Sequence, residues 1–341
     1  MDKTRVRLLP MFPFSVVCGG LELQCLRTQI ALKAIGIDAE LLDWNDPRAQ
    51  YDILHVFGST PNYYDICLHS RGKRRIVISA VIGARSVSRL RKLVWDGVST
   101  LARLARTPTE HQRLRCMYHS ADAVLCLNQL EADFVGVTYE LPRERLHIVT
   151  AGVGEHCFSA SPEPFVERHG VRDFVLFTGN IVRRKNPLML ARALAELGTK
   201  GVFIGGEVAA EKAYADSFAH FVDSNENLLW IGNLAHDAPV LASAYSACSV
   251  FCLPSASEIQ SASALEAMAA GKPLILGDRP YAYQTPFELA LKCRCDDTHS
   301  LKKCLTMVLK DPERYTSRLP ESYTWRNVAR ATAAVYERIL G

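Results

Sequence analysis

The chain has 341 residues, of which 48% are hydrophobic and 22% are charged, with 40 Lys and Arg against 36 Asp and Glu. This length favours two domains over a single hydrophobic core, and the hydrophobic content is sufficient for both cores. No stretch approaches the roughly 20 apolar residues that a membrane span needs, so a soluble or peripheral protein is expected.

The charges and cysteines narrow the class of protein further. Residues 1–157 contain 20 basic and 16 acidic side chains, so the formal excess of +4 lies in that part of the chain. The 11 cysteines are scattered without the spacing of a metal site, which predicts that no structural metal is bound. Dispersed cysteines of this kind are typical of the reducing cytosol, so we expect a cytoplasmic protein.

Short apolar runs alternate with longer helical patterns in the first half of the chain. Strands are predicted at 5–9, 39–42, 53–57, 76–79, 123–127 and 147–149. Helical patterns cover 21–35 and 85–106. This alternation is typical of a parallel sheet covered by helices.

The same alternation restarts after a polar, proline-containing stretch near 159–164. Strands are predicted at 174–178, 201–204, 228–231, 248–253 and 274–276, with helices at 187–197 and 210–222. We therefore predict an α/β fold with two facing Rossmann-like domains, 1–158 and 159–322, and a deep cleft between them. An amphipathic helix over about 323–341 is expected to pack back on the first domain.

The most informative segment is residues 254–275, which read PSASEIQSASALEAMAAGKPLI. It follows a predicted buried strand and continues into an Ala- and Leu-rich helix that ends at Gly271 and Pro273. Glu258 and Glu266 lie eight positions apart across the junction of loop and helix. They are either solvated acids favoured near a helix N-terminus or contacts to a ligand whose anion lies there.

Several segments resemble those of glycosyltransferase family 4. In the first half these are the glycine-rich turn at 19–22, SADAVLCLNQLEADF at 120–134 and RLHIVTAGVGEHCF at 145–158. In the second half they are FTGNIVRRKNPLMLARAL at 177–194, NLLWIGNL at 227–234 and the paired-glutamate segment. This family consists of retaining, nucleotide-sugar-dependent enzymes of the GT-B type. The resemblance implies that fold and implies that no cofactor or divalent metal is needed.

The resemblance also implies roles for individual residues. Lys185 and Glu258 are expected to be catalytic, because a cation at Lys185 would stabilise the departing β-phosphate and Glu258 would lie by the transferred sugar. Glu266 is expected to accept hydrogen bonds from the nucleotide ribose. The substrate-binding residues that we expect are Gly19, Gly20, Asn180, Arg184, Gln260, Ser261, Ala262 and Glu266.

Two positions depart from the common pattern of the family. Many members carry Arg directly after the glycine of the phosphate-contacting loop, whereas this chain has Asn180, with Arg183 and Arg184 as alternative cations. The turn 259–261 reads Ile-Gln-Ser where Gly-Phe-Gly is frequent. Because glycine permits the closest backbone approach, this turn is where we expect donor selectivity to arise.

A third departure concerns a histidine of the first domain. Many family members carry it after the strand that corresponds to 76–79, whereas this chain reads Ala-Val-Ile-Gly at 80–83. His55, at the end of the predicted 53–57 strand, is a substitute by position. The alternative interpretation is a core histidine with satisfied hydrogen bonds.

The predicted helix over 85–106 is strongly basic on one face. Residues 71–115 contain twelve basic and two acidic side chains. This face either contacts anionic lipid headgroups, which would make the protein peripheral on the inner face of the membrane, or is simply solvated. Nucleic-acid binding is not expected, because aromatic side chains are not interleaved with the basic ones.

The resemblance, together with these patterns, implies a retaining glycosyltransferase. It would move a hexose-type sugar from a UDP- or GDP-linked donor to a glycan or lipid-linked acceptor, in polysaccharide or glycoconjugate synthesis. Two alternatives remain open: a catalytically silent subunit that binds a sugar-nucleotide, and a GT-B-like epimerase or hydrolase. The sequence makes no prediction of oligomeric state.

Overall fold

The computed structural model describes residues 4–16, 19–46, 50–83, 109–235 and 238–341. The chain divides into two compact units. The first comprises Met1–Gly152 and Ser322–Gly341, and the second comprises Val153–Glu321. The sequence places the boundary a few residues later, between 158 and 159.

The first unit contains a six-stranded parallel sheet. Strands β1 to β6 span Arg5–Leu9, Asp38–Leu41, Ile53–Phe57, Arg75–Ser79, Ala123–Cys126 and Leu146–Ile148. Helices α1 to α4 span Gly20–Ala34, Tyr64–Ser70, Glu110–Ser120 and Gln129–Tyr139. The strand order is β2-β1-β3-β4-β5-β6. Strand β2 therefore lies on one side of β1 and strands β3 to β6 lie on the other, so the order of the strands reverses between β1 and β3.

The second unit repeats this architecture. Strands β7 to β12 span Val175–Thr178, Gly201–Ile204, Leu228–Gly232, Val250–Leu253, Leu274–Gly277 and Leu291–Cys293. Helices α5 to α10 span Glu163–His169, Pro187–Leu197, Lys212–Asp223, Pro239–Ala247, Ala262–Ala269 and Thr298–Lys310. All paired strands are parallel in the order β12-β11-β10-β7-β8-β9, and the reversal lies between β7 and β10.

The central strands are apolar along their whole length. Every residue of β3, β7, β8, β10 and β11 is buried. Continuous burial is expected where helices cover both faces of a parallel sheet. The predicted α/β class and the two Rossmann-like halves are therefore confirmed.

The last helix, α11, spans Trp325–Leu340 and packs against α1. Thr324 caps it, since the Thr324 hydroxyl accepts a hydrogen bond from the N–H of Asn327 at 3.4 Å. Val328, Val335 and Tyr336 enter the core of the first sheet. The helix belongs to the first unit although it follows the second unit in the chain.

Two findings bear on a membrane location. The predicted basic helix over 85–106 falls outside the described residues. Within the described part of the chain, no helix combines the length and apolar content required to cross a bilayer.

Candidate active site

The predicted catalytic residues meet at the carboxyl edge of the second sheet. Lys185 lies in the loop that follows β7, and Glu258 lies in the loop that follows β10. These two strands are neighbours and flank the point where the strand order reverses. Ligands of open α/β sheets bind at this position, because the loops diverge there and leave a crevice.

Glu258 is the centre of a compact polar cluster. Its Oε1 accepts hydrogen bonds from Lys185 Nζ at 3.0 Å, Arg184 Nη1 at 2.9 Å and Ser255 Oγ at 2.9 Å. The Lys185 and Glu258 side chains are only 14% and 12% exposed, whereas that of Arg184 is 47% exposed. Oε2 of Glu258 has no hydrogen-bond partner among the described residues. The carboxylate thus holds two cations side by side and keeps one oxygen for another contact.

The structure distinguishes the two candidate arginines. The Arg184 guanidinium bonds to Glu258 Oε1 and to the carbonyl of Ser257. The Arg183 guanidinium lies instead over the ring of Tyr214, 5.1 Å from its centroid. Arg184 is therefore the arginine that joins the cluster.

Asn186 fixes the lysine loop to the glutamate loop. Its Nδ2 donates to the carbonyls of Pro254 at 3.0 Å and Cys295 at 2.9 Å. The residue has φ of 56° and ψ of 37°, a left-handed conformation that Asn tolerates better than most residues. The backbone N–H of Ala256 also donates to the carbonyl of Arg184 at 2.8 Å. These bonds set the spacing between Lys185 and Glu258.

Two glycines permit close backbone packing beside this loop. Gly179 has φ of +137°, and a Cβ there would lie 3.1 Å from Nζ of Lys185. Gly205, at the end of β8, has φ of +153°, and a Cβ there would lie 2.0 Å from the carbonyl oxygen of Gly179. Only glycine fits position 205. Asn180, the next predicted substrate contact, is exposed directly after Gly179.

The two helix N-termini at this edge differ in the N–H groups that they offer. Helix α6 begins with Pro187, which has no N–H, and the N–H of Leu188 donates to the hydroxyl of Tyr214 at 3.3 Å. The first two positions of α6 therefore offer no free N–H group to a ligand. Helix α9 is different, because the N–H groups of Ala262 and Ser263 precede its first intrahelical bonds.

The predicted substrate contacts at 260–262 form the entry to α9. Ser261 is its N-cap, and the Ser261 hydroxyl accepts a hydrogen bond from the N–H of Ala264 at 3.2 Å. That side chain is buried, so its main role in the described structure is to cap the helix. Gln260 is half-buried and Ala262 is exposed at the first helical position.

Glu266 is held by a buried tyrosine that sequence reasoning missed. Tyr245 donates its hydroxyl to Glu266 Oε2 at 2.7 Å, and Thr178 Oγ1 lies 2.8 Å from the same hydroxyl. Burial raises the pKa of Tyr245 well above its usual value, and the nearby Glu266 carboxylate adds to this shift. Because the tyrosine stays protonated, it acts as a donor that orients Glu266. Ser255 and Asn186 were likewise not predicted, since nothing in their sequence context marks them.

The first unit has an equivalent edge at the reversal between β1 and β3. Gly19 precedes α1, and its N–H donates to Glu22 Oε2 at 3.1 Å. The Glu22 side chain is buried, whereas Gly19 and Gly20 are exposed. The two predicted glycines therefore occupy the expected position at the start of the first βα unit.

His55 is completely buried in the first unit. Its Nδ1 lies 2.6 Å from the hydroxyl of Tyr336 and its Nε2 lies 2.9 Å from the hydroxyl of Ser79. Burial lowers its pKa to about 3. Both ring nitrogens are engaged within the core, so the interpretation of His55 as a core histidine is favoured over a catalytic role.

The segment 80–83, where the family histidine would stand, is held by a buried acid. Glu131 accepts hydrogen bonds from the N–H groups of Ile82 at 2.6 Å and Leu127 at 2.5 Å. Burial raises the pKa of Glu131 to about 7, although these two hydrogen bonds act to lower it. Val81 has φ of 42°, which is unusual for a β-branched residue. Residues 80–83 are thus held in place, with strain at Val81.

Within the described residues, no group of three or more His, Cys, Asp or Glu side chains is arranged to hold a metal ion. The cations that pair with Glu258 at the carboxyl edge of the second sheet are Lys185 and Arg184.

The sequence of the second unit matches a known family. Residues 172–311 match the model of the family described as Glycosyl transferases group 1. This range includes Lys185, Glu258 and Glu266. Over this range the chain is therefore similar to the glycosyltransferases of group 1, which agrees at this level with the resemblance seen in the motifs. The narrower assignment to family 4 stays a prediction.

Several solved structures share the fold over nearly the whole chain. Sucrose-phosphate synthase from Thermosynechococcus elongatus has a TM-score of 0.75 at 17% identity, with 99% of each chain covered. A glycosyltransferase from Rickettsia africae has a TM-score of 0.73 at 13% identity, covering 100% of this chain and 99% of the other. HepE from Anabaena, solved with UDP and glucose, has a TM-score of 0.66 at 16% identity, covering 99% and 96%.

These likenesses establish the fold as that of the GT-B glycosyltransferases, as predicted. No curated protein sequence matches this chain at a significant level. The family match and the fold together support glycosyltransferase activity and leave the sugar, the acceptor and the stereochemistry open.

Proposed function

We propose that this protein is a retaining glycosyltransferase that takes a hexose-type sugar from a UDP- or GDP-linked donor. The observation that carries the proposal is the cluster in which Lys185 and Arg184 both bond to Glu258 Oε1 at the carboxyl edge of β7 and β10. HepE, which shares the fold, has been solved with UDP and with UDP-glucose, which supports a uridine-linked donor.

The cluster suits the departure of a nucleoside diphosphate. Negative charge grows on the β-phosphate as the glycosidic bond breaks, and fixed cations stabilise that state more than the ground state. Lys185 and Arg184 supply the cations, and the first N–H groups of α9 supply neutral donors. The proposal assigns this task to protein groups and requires no bound divalent metal or cofactor.

Glu258 and Glu266 would then bind the two other parts of the donor. Oε2 of Glu258 is available to accept a hydrogen bond from a hydroxyl of the sugar. Glu266, oriented by Tyr245, would accept hydrogen bonds from the ribose hydroxyls. Asn180 and the turn 259–261 would contact the remaining sugar and phosphate atoms.

The first unit would bind the acceptor, which we propose to be a glycan or a lipid-linked sugar, beside Gly19 and Gly20. A cytoplasmic location would suit this role, and the ten cysteines of the described residues, which are all free, support a reducing compartment. A product in polysaccharide or glycoconjugate synthesis follows from such an acceptor. We also propose that the protein contacts the inner surface of the membrane.

A second candidate function is supported by His55. Because its two nitrogens are engaged in the core, it offers no replacement for the family histidine missing at 80–83. This observation favours a catalytically silent subunit that binds a sugar-nucleotide, or a hydrolase that uses water in place of a sugar acceptor.

Product analysis with a panel of UDP- and GDP-linked hexoses distinguishes these functions. The proposal predicts transfer to a sugar acceptor, and proton NMR of the product is expected to show the anomeric configuration of the donor. The activity should persist in EDTA. Glu258→Ala should lower the rate on the order of a hundredfold, because loss of the buried carboxylate leaves Lys185 and Arg184 without the partner that holds them in place.

Glu226→Ala is the matched control, because Glu226 is an exposed acid of the same unit. Its rate should equal that of the wild-type protein. Donor binding without turnover for every acceptor would support the silent subunit. Release of free sugar alone would support the hydrolase, and an inverted product would refute retention.

A further inference from the structure

A surface cavity that the proposed function does not use lies at the amino ends of the strands of the first sheet. Its volume is about 590 Å³, within the range of roughly 300–1,000 Å³ that small-molecule sites occupy. Asp52, Arg75, Asp122 and Arg145 line it, and each lies at or directly before the first residue of a strand from β3 to β6.

This edge lies opposite the edge that carries Gly19 and Gly20. The strands are parallel, so their amino ends share one edge and their carboxyl ends the other. A five-residue strand such as β3 spans roughly 16 Å. The cavity is therefore separate from the carboxyl edge of this sheet, where we place the acceptor.

Basic side chains dominate the lining of the cavity. The ionised residues are five basic ones and two acidic ones: Arg71, Lys73, Arg74, Arg75, Arg145, Asp52 and Asp122. Such a concentration of one sign of charge in a concave surface attracts anions, because the low-dielectric walls focus the field.

Both carboxylates are already engaged by the protein. Asp52 accepts hydrogen bonds from the main-chain N–H of Arg5 at 2.8 Å and from its guanidinium at 3.3 Å. Partial burial acts to raise the pKa of Asp52, but these bonds outweigh it and lower the pKa. Asp122 pairs with Arg75 at 3.0 Å and accepts the N–H of Ile76 at 2.8 Å. Asp52 also interacts electrostatically with Arg74, but neither acid forms an ion pair with Arg71, Lys73 or Arg145.

The backbone that carries Arg71, Lys73 and Arg74 forms a tight turn. The turn at Gly72, with φ of +76°, is closed by the N–H groups of Lys73 and Arg74, which both donate to the carbonyl of Ser70 at 3.1 Å. The Arg74 guanidinium lies over the ring of Tyr51, 4.8 Å from its centroid. Among the described residues, no carboxylate lies within 4.0 Å of Arg71 or Lys73. Within the described ranges, the charges of these two side chains are therefore not paired with an acid.

A guanidinium also points along the opposite wall. Arg145 Nη1 lies 3.4 Å from the carbonyl of His119 and 3.3 Å from that of Ala121, and these contacts fix its position. A group that accepts hydrogen bonds on several sides would contact both walls at once. A tetrahedral phosphate has this shape, and its oxygens match the forked geometry of arginine.

We propose that this cavity binds a phosphate monoester group. Arg71, Lys73 and Arg145 would neutralise and hydrogen-bond the dianion, and Arg74 would contribute from its position over Tyr51. The phosphate could belong to a dissolved metabolite or to the headgroup of an anionic lipid. The proposal is independent of the donor site, because all the lining residues belong to the first unit.

Glycerol 3-phosphate and phosphatidic acid present the same phosphate from these two sources. Calorimetric titration with glycerol 3-phosphate tests the dissolved form. Sedimentation with phosphatidylcholine vesicles, with and without phosphatidic acid, tests the lipid form. Both experiments compare the wild-type protein, the double variant Arg71→Gln with Lys73→Gln, and a control double variant, Arg113→Gln with Arg330→Gln.

The control removes the same charge from exposed positions of the first unit outside the cavity. We expect affinity for at least one probe to fall on the order of tenfold in the Arg71 and Lys73 variant. The control should bind as the wild-type protein does. Thermal unfolding should be the same for all three proteins, because the substituted side chains are exposed.

The possible results distinguish a metabolite site from a membrane contact. Selective loss of glycerol 3-phosphate binding identifies a metabolite site, and selective loss of phosphatidic acid binding identifies a membrane contact; each supports the proposal. If the wild-type protein binds neither probe, or if both double variants weaken binding equally, the proposal is overturned.

Discussion

Asn186 shows how a single residue can set the geometry of the candidate active site. Its side chain joins the loop after β7 to the carbonyls of Pro254 and Cys295, and its backbone adopts a left-handed conformation. The residue follows Lys185 directly, so any shift of this backbone moves the ammonium relative to Glu258. The two properties of Asn186 can be separated by substitution.

Asn186→Gly keeps the left-handed backbone but removes both hydrogen bonds, which should destabilise the second unit by about 1–2 kcal/mol. Asn186→Ala also adds the cost of a left-handed non-glycine residue, about 1 kcal/mol more. Denaturant unfolding of both variants measures these differences. If Asn186→Gly is as stable as the wild-type protein, the two side-chain bonds contribute nothing.

At the scale of secondary structure, the carboxyl ends of β7 and β8 depend on very close backbone contact. A Cβ at Gly205 would lie 2.0 Å from the carbonyl oxygen of Gly179. The two strand ends can therefore approach this closely only because residue 205 is glycine. Gly179 is in turn beside Lys185. The position of the loop that carries Lys185 therefore depends on the packing of two neighbouring strands.

Gly205→Ala should destabilise the second unit by at least about 3 kcal/mol, since it combines a backbone clash with a φ of +153°. The control is Gly198→Ala at the end of α6, where φ is +61° and a Cβ meets nothing within 4 Å. That change should cost about 1 kcal/mol. Thermal unfolding compares them, and equal losses would show that the contact with Gly179 is unimportant.

At the scale of the molecule, the first unit is completed by a helix from the end of the chain. Helix α11 packs on α1, and the hydroxyl of Tyr336 reaches His55 in strand β3. The neutral histidine is buried between this hydroxyl and that of Ser79. Protonation of the second ring nitrogen would give His55 a positive charge inside the core, which is unfavourable. The stability of the first unit therefore depends on pH.

The sign of this pH dependence follows from the pKa of His55. The pKa is about 3 in the folded protein and 6.5 as its ordinary value, so the unfolded state binds the proton more readily. The stabilisation is present above pH 6.5 and is lost as the pH falls toward 3. From pH 7 to pH 5, His55 should lower the free energy of unfolding by about 2 kcal/mol.

His55→Gln removes this titration while retaining an amide that can bond to both hydroxyls. Its loss of stability between pH 7 and pH 5, measured by denaturant unfolding, should be smaller by about 2 kcal/mol than that of the wild-type protein. An identical pH dependence in both proteins would show that His55 becomes protonated without cost in the folded state.

The sequence predicts the fold well because the strands are buried on both faces. Continuous apolar runs such as Ile53–Phe57 mark such strands clearly, and their alternation with helices implies parallel sheets. The positions of Lys185 and Glu258 follow from the same pattern, since both are in loops after neighbouring central strands. The unusual spacing of the paired glutamates adds to this signal.

The contacts that complete the site were not predictable in the same way. Asn186, Ser255 and Tyr245 act through hydrogen bonds to partners distant in sequence, and nothing local identifies those partners. Likewise, the sequence gives no physical ground for preferring Arg184, the expected contact, to Arg183, because adjacent side chains point in directions that only the folded loop determines. The burial of His55 depends on a helix that lies far along the chain.

The rate of sugar transfer by Lys185→Ala and Arg183→Ala tests the proposed chemistry most directly. Both changes remove one cation from the same loop. The Lys185 side chain bonds to Glu258, whereas the Arg183 side chain does not and lies over Tyr214. Lys185→Ala should lower the rate on the order of 10²- to 10³-fold, and Arg183→Ala should remain within a few-fold of wild type. A Lys185→Ala protein that transfers sugar at the wild-type rate would contradict the assigned site.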